Sequence, residues 1–214
     1  MKVLSVLLFL SLTLSVAFAA LGVDISSGST IPDLQCFKNK GYTRAIFRCY
    51  QSIGRPDPNC PHNIYNARDA GFSIIDGYIF PCFSCGNPAG QIQSMVKYYK
   101  SFNANIHTIW IDVEGPGVYW SESQTANRNF FNGLIDGCKS QGLKIGIYTS
   151  ASQWGPIMGN WDGGKAYPLW YAHYDNNPSF SDFSPFGGWS TPYMKQFSGN
   201  DNECGLGVDK NYFK

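Results

Sequence analysis

Short apolar segments rich in β-branched and aromatic residues alternate along the chain with more polar segments that have a helical period. Eight apolar segments predict strands, over residues 22–26, 44–50, 73–80, 108–114, 144–150, 168–174, 192–198 and 205–209. Five of the segments between them predict helices, over residues 31–39, 62–70, 89–102, 122–140 and 151–158. Four of these helices end close to a glycine, as helix C-termini often do.

The order of the elements predicts the fold class. Strands that alternate with helices form βαβ units and a parallel sheet. The last two connections, residues 174–192 and 198–205, are rich in Asn, Ser, Gly and Pro and show no helical period. We therefore predict an α/β fold, a modified TIM-like barrel of five βα units followed by three strands with loop connections. An open doubly wound sheet is the competing architecture, but no glycine-rich phosphate loop follows the first strand.

Residues 1–20 have the pattern of a secretory signal peptide: Lys2 near the start, then an apolar run, then small residues of the kind found at a cleavage site. The alternative, a membrane anchor, needs about 20 apolar residues, and this run is shorter and contains Ser and Thr. We expect a single domain over residues 21–214 that does not associate with a membrane once the signal is removed. Its expected location is outside the cell or in a secretory, lysosome-like vesicle.

The charge balance argues against a polyanionic partner. Lys and Arg number 16 against 15 Asp and Glu, and basic stretches are absent. A nucleic-acid-binding surface would need a cluster of positive charge, so we expect no nucleic-acid partner. The sequence does not indicate an oligomeric state.

All seven cysteines follow the predicted signal peptide, in a chain routed to an oxidising compartment. Their number predicts three disulfides and one free thiol, but the spacing leaves the pairing open. Cys82 and Cys85 also fit a redox or zinc pair. Because the chain has no second pair of this kind, we expect a structural role for them.

The fourth predicted strand carries two carboxylates on one face. Alternation turns its isoleucines and valine toward the helices and turns Trp110, Asp112 and Glu114 into the barrel mouth. Carboxylates about 7 Å apart on one strand raise each other's pKa, which suits a general acid that works near neutral pH.

Further carboxylates are expected at the same end of the barrel. Asp24 closes the first strand, Asp76 lies on the third, and Asp209 ends the eighth, which neighbours the first in a closed barrel. Each alone fits a strand-end cap, but together they favour glycoside hydrolysis by paired carboxylates. No cluster of His and Asp has metal-ligand spacing, so we expect neither a metal nor a cofactor.

Aromatic side chains near the same strand ends are candidates for stacking on sugar rings. They are Tyr78, Phe80, Tyr148, Trp170 and Tyr171. Each also fits an ordinary core position. Of these, Tyr78, Tyr148 and Trp170 are the predicted substrate-binding residues, together with Asp209.

Six short motifs follow one another along the chain: Gly-Val-Asp24-Ile-Ser, Trp-Ile-Asp112-Val-Glu114, Ile-Tyr148-Thr-Ser, Leu-Trp170-Tyr-Ala-His-Tyr, Gln196-Phe-Ser and Gly-Val-Asp209-Lys-Asn-Tyr-Phe. In this order they resemble the family 25 glycoside hydrolases, the Ch-type lysozymes, over residues 21–213. The strand with Asp-x-Glu alone is a weak signal, whereas the ordered set is specific. The added cysteines and Phe-Pro-Cys at residues 80–82 are similar to the eukaryotic secreted members.

The resemblance implies a five-helix barrel that hydrolyses the β-1,4 bond between N-acetylmuramic acid and N-acetylglucosamine in bacterial peptidoglycan, for defence or for digestion of bacteria. By position, Glu114 would protonate the leaving oxygen, and Asp112 and Asp24 would line the cleavage subsite. Asp112 would act either as the nucleophile or by orienting the substrate's own acetamido group. Asp209 would hold substrate or tune the other carboxyls.

Two positions depart from the family pattern. Ile79 stands where many bacterial members have His before Phe, and Lys195 precedes Gln196 where Trp is common. These departures concern the details of the substrate subsites and not the carboxylates.

Two other functions stay open at this point. A chitinase-like glycosidase would usually have a further Asp two residues before Asp112, where this chain has Trp110. A secreted carbohydrate-binding protein without catalysis would not need Asp24, Asp112, Glu114 and Asp209 together.

Overall fold

Nine strands form one sheet, and pairing of the first strand with the second closes it into a barrel. The computed structural model describes residues 20–214. The strands are β1 Ala20–Ile25, β2 Tyr42–Gln51, β3 Arg55–Pro56, β4 Ile74–Ile79, β5 Ile109–Asp112, β6 Ile145–Thr149, β7 Leu169–Ala172, β8 Met194–Glu203 and β9 Leu206–Phe213. The helices are α1 Ile31–Asn39, α2 Cys60–Asp69, α3 Pro88–Ser101, α4 Gln124–Ser140 and α5 Ala151–Met158.

The predicted fold class is confirmed, and all five helices lie within two residues of their predicted bounds. The short strand β3, which pairs only with the end of β2, was not predicted. The predicted signal peptide lies outside the described residues, apart from Ala20, the first residue of β1. Over the part of the chain described, every helix is too short or too polar to span a bilayer.

The last connection corrects the sequence analysis. Residues 198–205 were expected to form a loop, but β8 continues to Glu203 and β9 begins at Leu206. The two residues between them, Cys204 and Gly205, both have positive φ, 53° and 80°, as a tight two-residue hairpin turn requires. A chain that reverses in two residues must run antiparallel, so β9 is antiparallel to both β8 and β1.

Local signals explain where helices begin and end. At the start of α1, the Thr30 N–H donates to Asp33 Oδ2 at 2.8 Å while Thr30 Oγ1 accepts from the Asp33 N–H at 3.4 Å, a capping box. Ser123 Oγ accepts from a backbone N–H of the first turn of α4 at 3.3 Å. Gly142 follows α4 with a φ of +65°, a conformation that favours glycine.

Two apolar layers surround the barrel wall. Outside it, Ile109, Ile111 and Val113 of the β5 segment are buried with side chains of the surrounding helices, as their alternation predicts. Inside it, a second cluster fills the barrel: Ile46, Trp110, Tyr148, Trp170, Met194 and Phe213. The interior is therefore packed by large side chains below the strand ends, as in other small barrels.

The structure has three disulfides and one buried free thiol, Cys138, which confirms the predicted numbers of both. Cys36 pairs with Cys204 and so ties α1 to the β8–β9 turn, across 168 positions of sequence. The other two bridges are local, Cys49–Cys60 between β2 and α2, and Cys82–Cys85 in the loop after β4.

A buried ion pair lies inside the barrel, on the far side of Trp110 from the strand ends. Arg44 Nε lies 3.6 Å from Asp76 Oδ2, and both side chains are essentially inaccessible to solvent. The Trp110 Nε1–H donates to the same oxygen at 3.0 Å. The guanidinium also lies over the Phe213 ring, 4.2 Å from its centroid. Burial raises the pKa of Asp76, and the charge of Arg44 opposes that rise.

We predict that Arg44→Met lowers the free energy of unfolding by about 3–5 kcal/mol at pH 7, because it leaves the Asp76 carboxylate buried without the positive charge of the arginine. Losing the cation raises the folded-state pKa of Asp76 further above its unfolded value. A carboxyl whose pKa is raised by folding destabilises the folded state least at pH values below its unfolded pKa. The loss is therefore smaller at pH 4 than at pH 7. Urea unfolding at both pH values measures it.

The control is Arg68→Met, which removes a cation from the exposed pair with Asp69. It should change the free energy of unfolding by less than about 1 kcal/mol. Equal losses for the two arginine variants would contradict the structural role of the Arg44–Asp76 pair.

Candidate active site

A cavity of about 100 Å³ opens at the carboxyl ends of the parallel strands. Its lining is polar and aromatic: Asp24, Tyr78, Asp112, Glu114, Tyr148, Trp170, Tyr174, Gln196 and Asp209. All seven predicted site residues are in this set. The structure therefore brings together side chains from most of the barrel strands, and their catalytic roles stay a prediction.

Strand register explains how the carboxyls meet. Asp24 near the end of β1 is the direct partner of Asp209 in β9. Asp209 was expected to end a strand, but it lies in the first half of β9. Because β9 is antiparallel, its first half is at the same end of the barrel as the last residues of the parallel strands. The predicted neighbourhood is right, and the predicted reason for it is wrong.

Asp112 is the least exposed of the four carboxyl residues. Its side chain is 3% exposed, and its Oδ1 atom is buried without a hydrogen-bond partner. Burial raises the pKa of Asp112 well above its usual range, and the nearby carboxyls of Glu114 and Asp24 raise it further. A buried polar atom with no partner is uncommon in a folded protein, and this one belongs to a residue that lines the cavity.

Asp24 is buried but well supplied with donors. Its Oδ2 atom accepts from Asn211 Nδ2 at 2.7 Å and from Gln196 Nε2 at 2.9 Å. Asn211 is itself oriented by Trp170, whose Nε1–H donates to Asn211 Oδ1 at 2.8 Å. Burial and the Asp209 charge raise the pKa of Asp24, while these two amide donors oppose the rise.

Glu114 and Asp209 are half-buried and border the opening. Burial raises the pKa of Glu114, and the negative charge of Asp209 raises it further. Burial also raises the pKa of Asp209, against a hydrogen bond of 2.7 Å that its Oδ1 accepts from the Asn200 N–H. A carboxyl with a raised pKa at the mouth of a cleft has the properties of a general acid.

Two lining residues were not among the predicted site residues, although both lie in recognised motifs. Gln196 is 2% exposed and contacts two of the carboxyls. Tyr174 is 54% exposed at the rim, and its hydroxyl donates to Gln196 Oε1 at 2.8 Å. Alternation along β8 places Gln196 on the inner face, and this signal was available from the sequence.

The three predicted aromatic residues form one side and the floor of the cavity. The Trp170 ring packs against Tyr148 with a centroid distance of 4.5 Å and against Tyr78 at 6.5 Å. The other two candidates lie elsewhere. Phe80 packs on Tyr119, and Tyr171 is on the outer face of the barrel, where its hydroxyl donates to Asp182.

Asp76 was expected with the other carboxyls and does not line the cavity. Alternation correctly turns it into the barrel, but its partners are the Thr108 N–H, Trp110 and Arg44, below the cavity floor. Alternation gives the side of the sheet that a residue faces and not its height along the barrel axis, and this is why the expectation was wrong.

The cavity continues on both sides as open clefts. One cleft, of about 490 Å³, runs past Asp24 and Asp209 along Ser26, Ser27 and the 200–202 segment. The other, of about 310 Å³, runs past Glu114 and Tyr148 toward Ser150 and His173. The carboxyls thus lie midway along a groove that is open at both ends, which suits a polymer that extends beyond the reacting unit.

Outside the barrel wall, Lys195 is fully buried and lies 2.7 Å from a carboxylate oxygen of both Asp175 and Asp182. His173 lies 2.6 Å from Asp182. In the described part of the chain, His173, Asp175 and Asp182 come within reach of one common cation, and the Lys195 ammonium supplies the positive charge there. Lys195 and Ile79, the two departures from the family pattern, both face away from the cavity.

Comparison with known proteins agrees with this architecture. A family model described as "Lysozyme-like protein 1" matches residues 15–197. "Probable GH family 25 lysozyme 2" of Dictyostelium discoideum is 54% identical over 213 residues, covering 100% of both chains.

Two solved structures share the fold. A family GH25 lysozyme from Aspergillus fumigatus has a TM-score of 0.76 at 20% identity, covering 92% of this chain and 94% of that one. The modular autolysin LytC of Streptococcus pneumoniae, solved with a synthetic peptidoglycan ligand, has a TM-score of 0.73 at 18% identity, covering 92% of this chain and 47% of that one. From the full-length identity to its Dictyostelium relative, supported by the family model, the chain belongs to the glycoside hydrolase family 25 lysozymes of eukaryotes.

Proposed function

We propose that the protein is a muramidase that hydrolyses the β-1,4 bond between N-acetylmuramic acid and N-acetylglucosamine in bacterial peptidoglycan. The observation that carries this proposal is the cluster of four carboxyls, Asp24, Asp112, Glu114 and Asp209, midway along an open groove. Hydrolysis of a glycosidic bond needs one carboxyl that is protonated and another that is ionised. Membership of the family supports peptidoglycan as the substrate.

In this proposal Glu114 is the general acid. Its carboxyl gives its proton to the bridging oxygen while the bond from that oxygen to the anomeric carbon breaks. It then takes a proton from the water that attacks the anomeric carbon. The products are a new reducing end and a new free hydroxyl, so Glu114 ends the cycle protonated, as it began. The raised pKa of Glu114 keeps that proton available at mildly acidic pH.

Asp112 and Asp24 meet the positive charge that develops at the anomeric carbon. The buried Oδ1 atom of Asp112 is an acceptor without a hydrogen-bond partner among the described residues, and Asp112 lines the cavity. We propose that this oxygen accepts the acetamido N–H of the sugar and orients that group, whose carbonyl oxygen bonds to the anomeric carbon as the glycosidic bond breaks. The attacking water then displaces that oxygen from the anomeric carbon, which restores the acetamido group. Direct attack by Asp112 is the alternative, and it would leave a covalent glycosyl-enzyme that mass spectrometry detects.

Three disulfides are typical of a chain that folds in an oxidising compartment. We propose that the protein acts on bacteria after secretion or inside acidic vesicles, in defence or digestion. A chitinase-like activity and a binding function without catalysis are the competing hypotheses, and the experiments below separate both from a muramidase.

We predict that Glu114→Gln lowers the rate of peptidoglycan hydrolysis by about 10²–10⁴-fold, because the variant has no proton to give to the leaving oxygen. The measurement is the mass-spectrometric count of new N-acetylmuramic acid reducing ends from purified Gram-positive walls. The matched control is Glu122→Gln, the same change at an exposed carboxyl outside the cavity, which should keep full activity.

Each competing hypothesis predicts another result. Soluble oligomers from chitin, with none from peptidoglycan, would identify a chitinase-like enzyme. Wall binding without new reducing ends from wild type or variant would identify a binding protein.

We predict a bell-shaped pH profile of kcat/KM, because Glu114 must be protonated while its neighbours are ionised. Asp209→Asn should move both limbs to lower pH by roughly one unit. The reason is that the Asp209 charge raises the pKa of Asp24 and of Glu114, and removing it lets both carboxyls lose their protons at lower pH. Asp136→Asn, at an exposed site on α4, is the control and should leave the profile in place.

A further inference from the structure

The Gln196 side chain uses all of its hydrogen-bonding capacity inside the cavity. Its Oε1 atom accepts from the Tyr148 hydroxyl at 2.7 Å and from the Tyr174 hydroxyl at 2.8 Å. Its Nε2 atom donates to Asp24 Oδ2 at 2.9 Å and to Asp209 Oδ2 at 3.1 Å. A primary amide has two N–H donors and one oxygen that accepts two hydrogen bonds, so every position is occupied.

The chemistry of the partners determines which way the amide faces. Ionised carboxylates only accept hydrogen bonds, so the Nε2 side must face Asp24 and Asp209. The two tyrosines must then donate to Oε1. Burial raises the pKa of the Tyr174 hydroxyl to about 12 and that of Tyr148 in the same direction. Both hydroxyls therefore keep their protons and act as donors over the whole range in which the carboxyls titrate.

This arrangement places one amide between two like charges. Asp24 and Asp209 are direct register partners on β1 and β9, and each carboxylate opposes the ionisation of the other. One N–H to each carboxylate offsets that repulsion and fixes the distance between them. The same amide holds the hydroxyl of Tyr174, the exposed aromatic residue at the rim.

We propose that Gln196 is a positioning residue of the hydrolytic reaction, which holds Asp24 and Asp209 side by side as carboxylates and fixes Tyr174 at the cavity mouth through the same amide. The proposal deepens the muramidase function and rests on it, because it requires these carboxylates to act on substrate. Gln196 does not itself touch the reacting atoms.

The other ionisable groups near Asp24 are all retained when Gln196 is substituted. They are the carboxyls of Asp112, Glu114 and Asp209, the hydroxyls of Tyr78, Tyr148 and Tyr174, and the guanidinium of Arg48. Arg48 is already engaged, since its Nε donates to Asp57 at 2.7 Å. A change in the titration of Asp24 after substitution of Gln196 therefore reports the lost amide.

The test is Gln196→Leu in the full mature chain, with two readouts. Carbon-13 NMR titration of the carboxyl groups gives the pKa of Asp24 without any need for activity. The pH profile of kcat/KM on peptidoglycan gives the acid limb. Both should move to higher pH by about one unit, the size expected for one lost hydrogen bond to a carboxylate, because the carboxylate form loses a donor and a proton is then held more tightly.

Two further variants support the test. Tyr174→Phe alters only a rim hydroxyl, so it decides the question if Gln196→Leu does not fold. It should shift the pKa of Asp24 upward by less than Gln196→Leu does. Gln91→Leu is the matched control. Gln91 is another buried glutamine, whose amide bonds only to the backbone of Cys82 and Gly86, and its loss should lower stability while leaving both readouts unchanged.

The outcomes separate this proposal from the proposed function. An active wild type, with the pKa of Asp24 and the acid limb unchanged in both Gln196→Leu and Tyr174→Phe, overturns the role of Gln196 alone. A wild type that releases no reducing ends overturns the muramidase function. In that case the NMR titration still decides whether Gln196 holds the two carboxylates.

Discussion

Four carboxyls share a cavity of about 100 Å³ that no basic side chain of residues 20–214 lines, and the rest of the site follows from this constraint. Among residues 20–214, no Lys, Arg or His forms an ion pair with Asp24, Asp112, Glu114 or Asp209. Buried charges without a counter-ion are costly. Two means of lowering that cost are available here, namely neutral amide donors and protons. Amides stabilise Asp24, while raised pKa values make Glu114 and Asp112 hold protons more readily.

The amide donors come from the β8–β9 hairpin, where the barrel wall departs from parallel order. Gln196 lies on β8 and Asn211 on β9, and the two residues are direct register partners. Their strands form a hairpin that is tied at its far end to α1, by the Cys36–Cys204 disulfide and by the 2.8 Å pair of Lys40 with Glu203. A hairpin anchored at its tip keeps its two amides in register with β1, where Asp24 needs them.

Much of the fold and of the site was predictable from sequence periodicity. The alternation of side chains along a strand places Asp112 and Glu114 inside the barrel and the isoleucines of β5 outside it. The direction of β9 was not predictable, since the turn at Cys204 and Gly205 lacks the Asn-Gly or Asp-Gly pair that identifies a tight hairpin. The role of Gln196 was also hidden. Its partner Asp24 is 172 positions away in sequence, and a role that arises where distant side chains converge leaves no local pattern.

Two kinds of acidic side chain lie in this protein, and the sequence alone does not distinguish them. Asp76 faces Arg44, while Asp175 and Asp182 share Lys195, so each of these carboxylates has a basic side chain beside it. Such pairs serve the fold. Around the cavity, no basic side chain of the described chain pairs with Glu114 or Asp112, so taking up a proton is what relieves the cost of burying their charge. A carboxyl that is buried without a basic partner holds a proton more readily, and this is the property that a general acid requires. The carboxyls around the cavity are of this kind, whereas Asp76, Asp175 and Asp182 each lie beside a basic side chain.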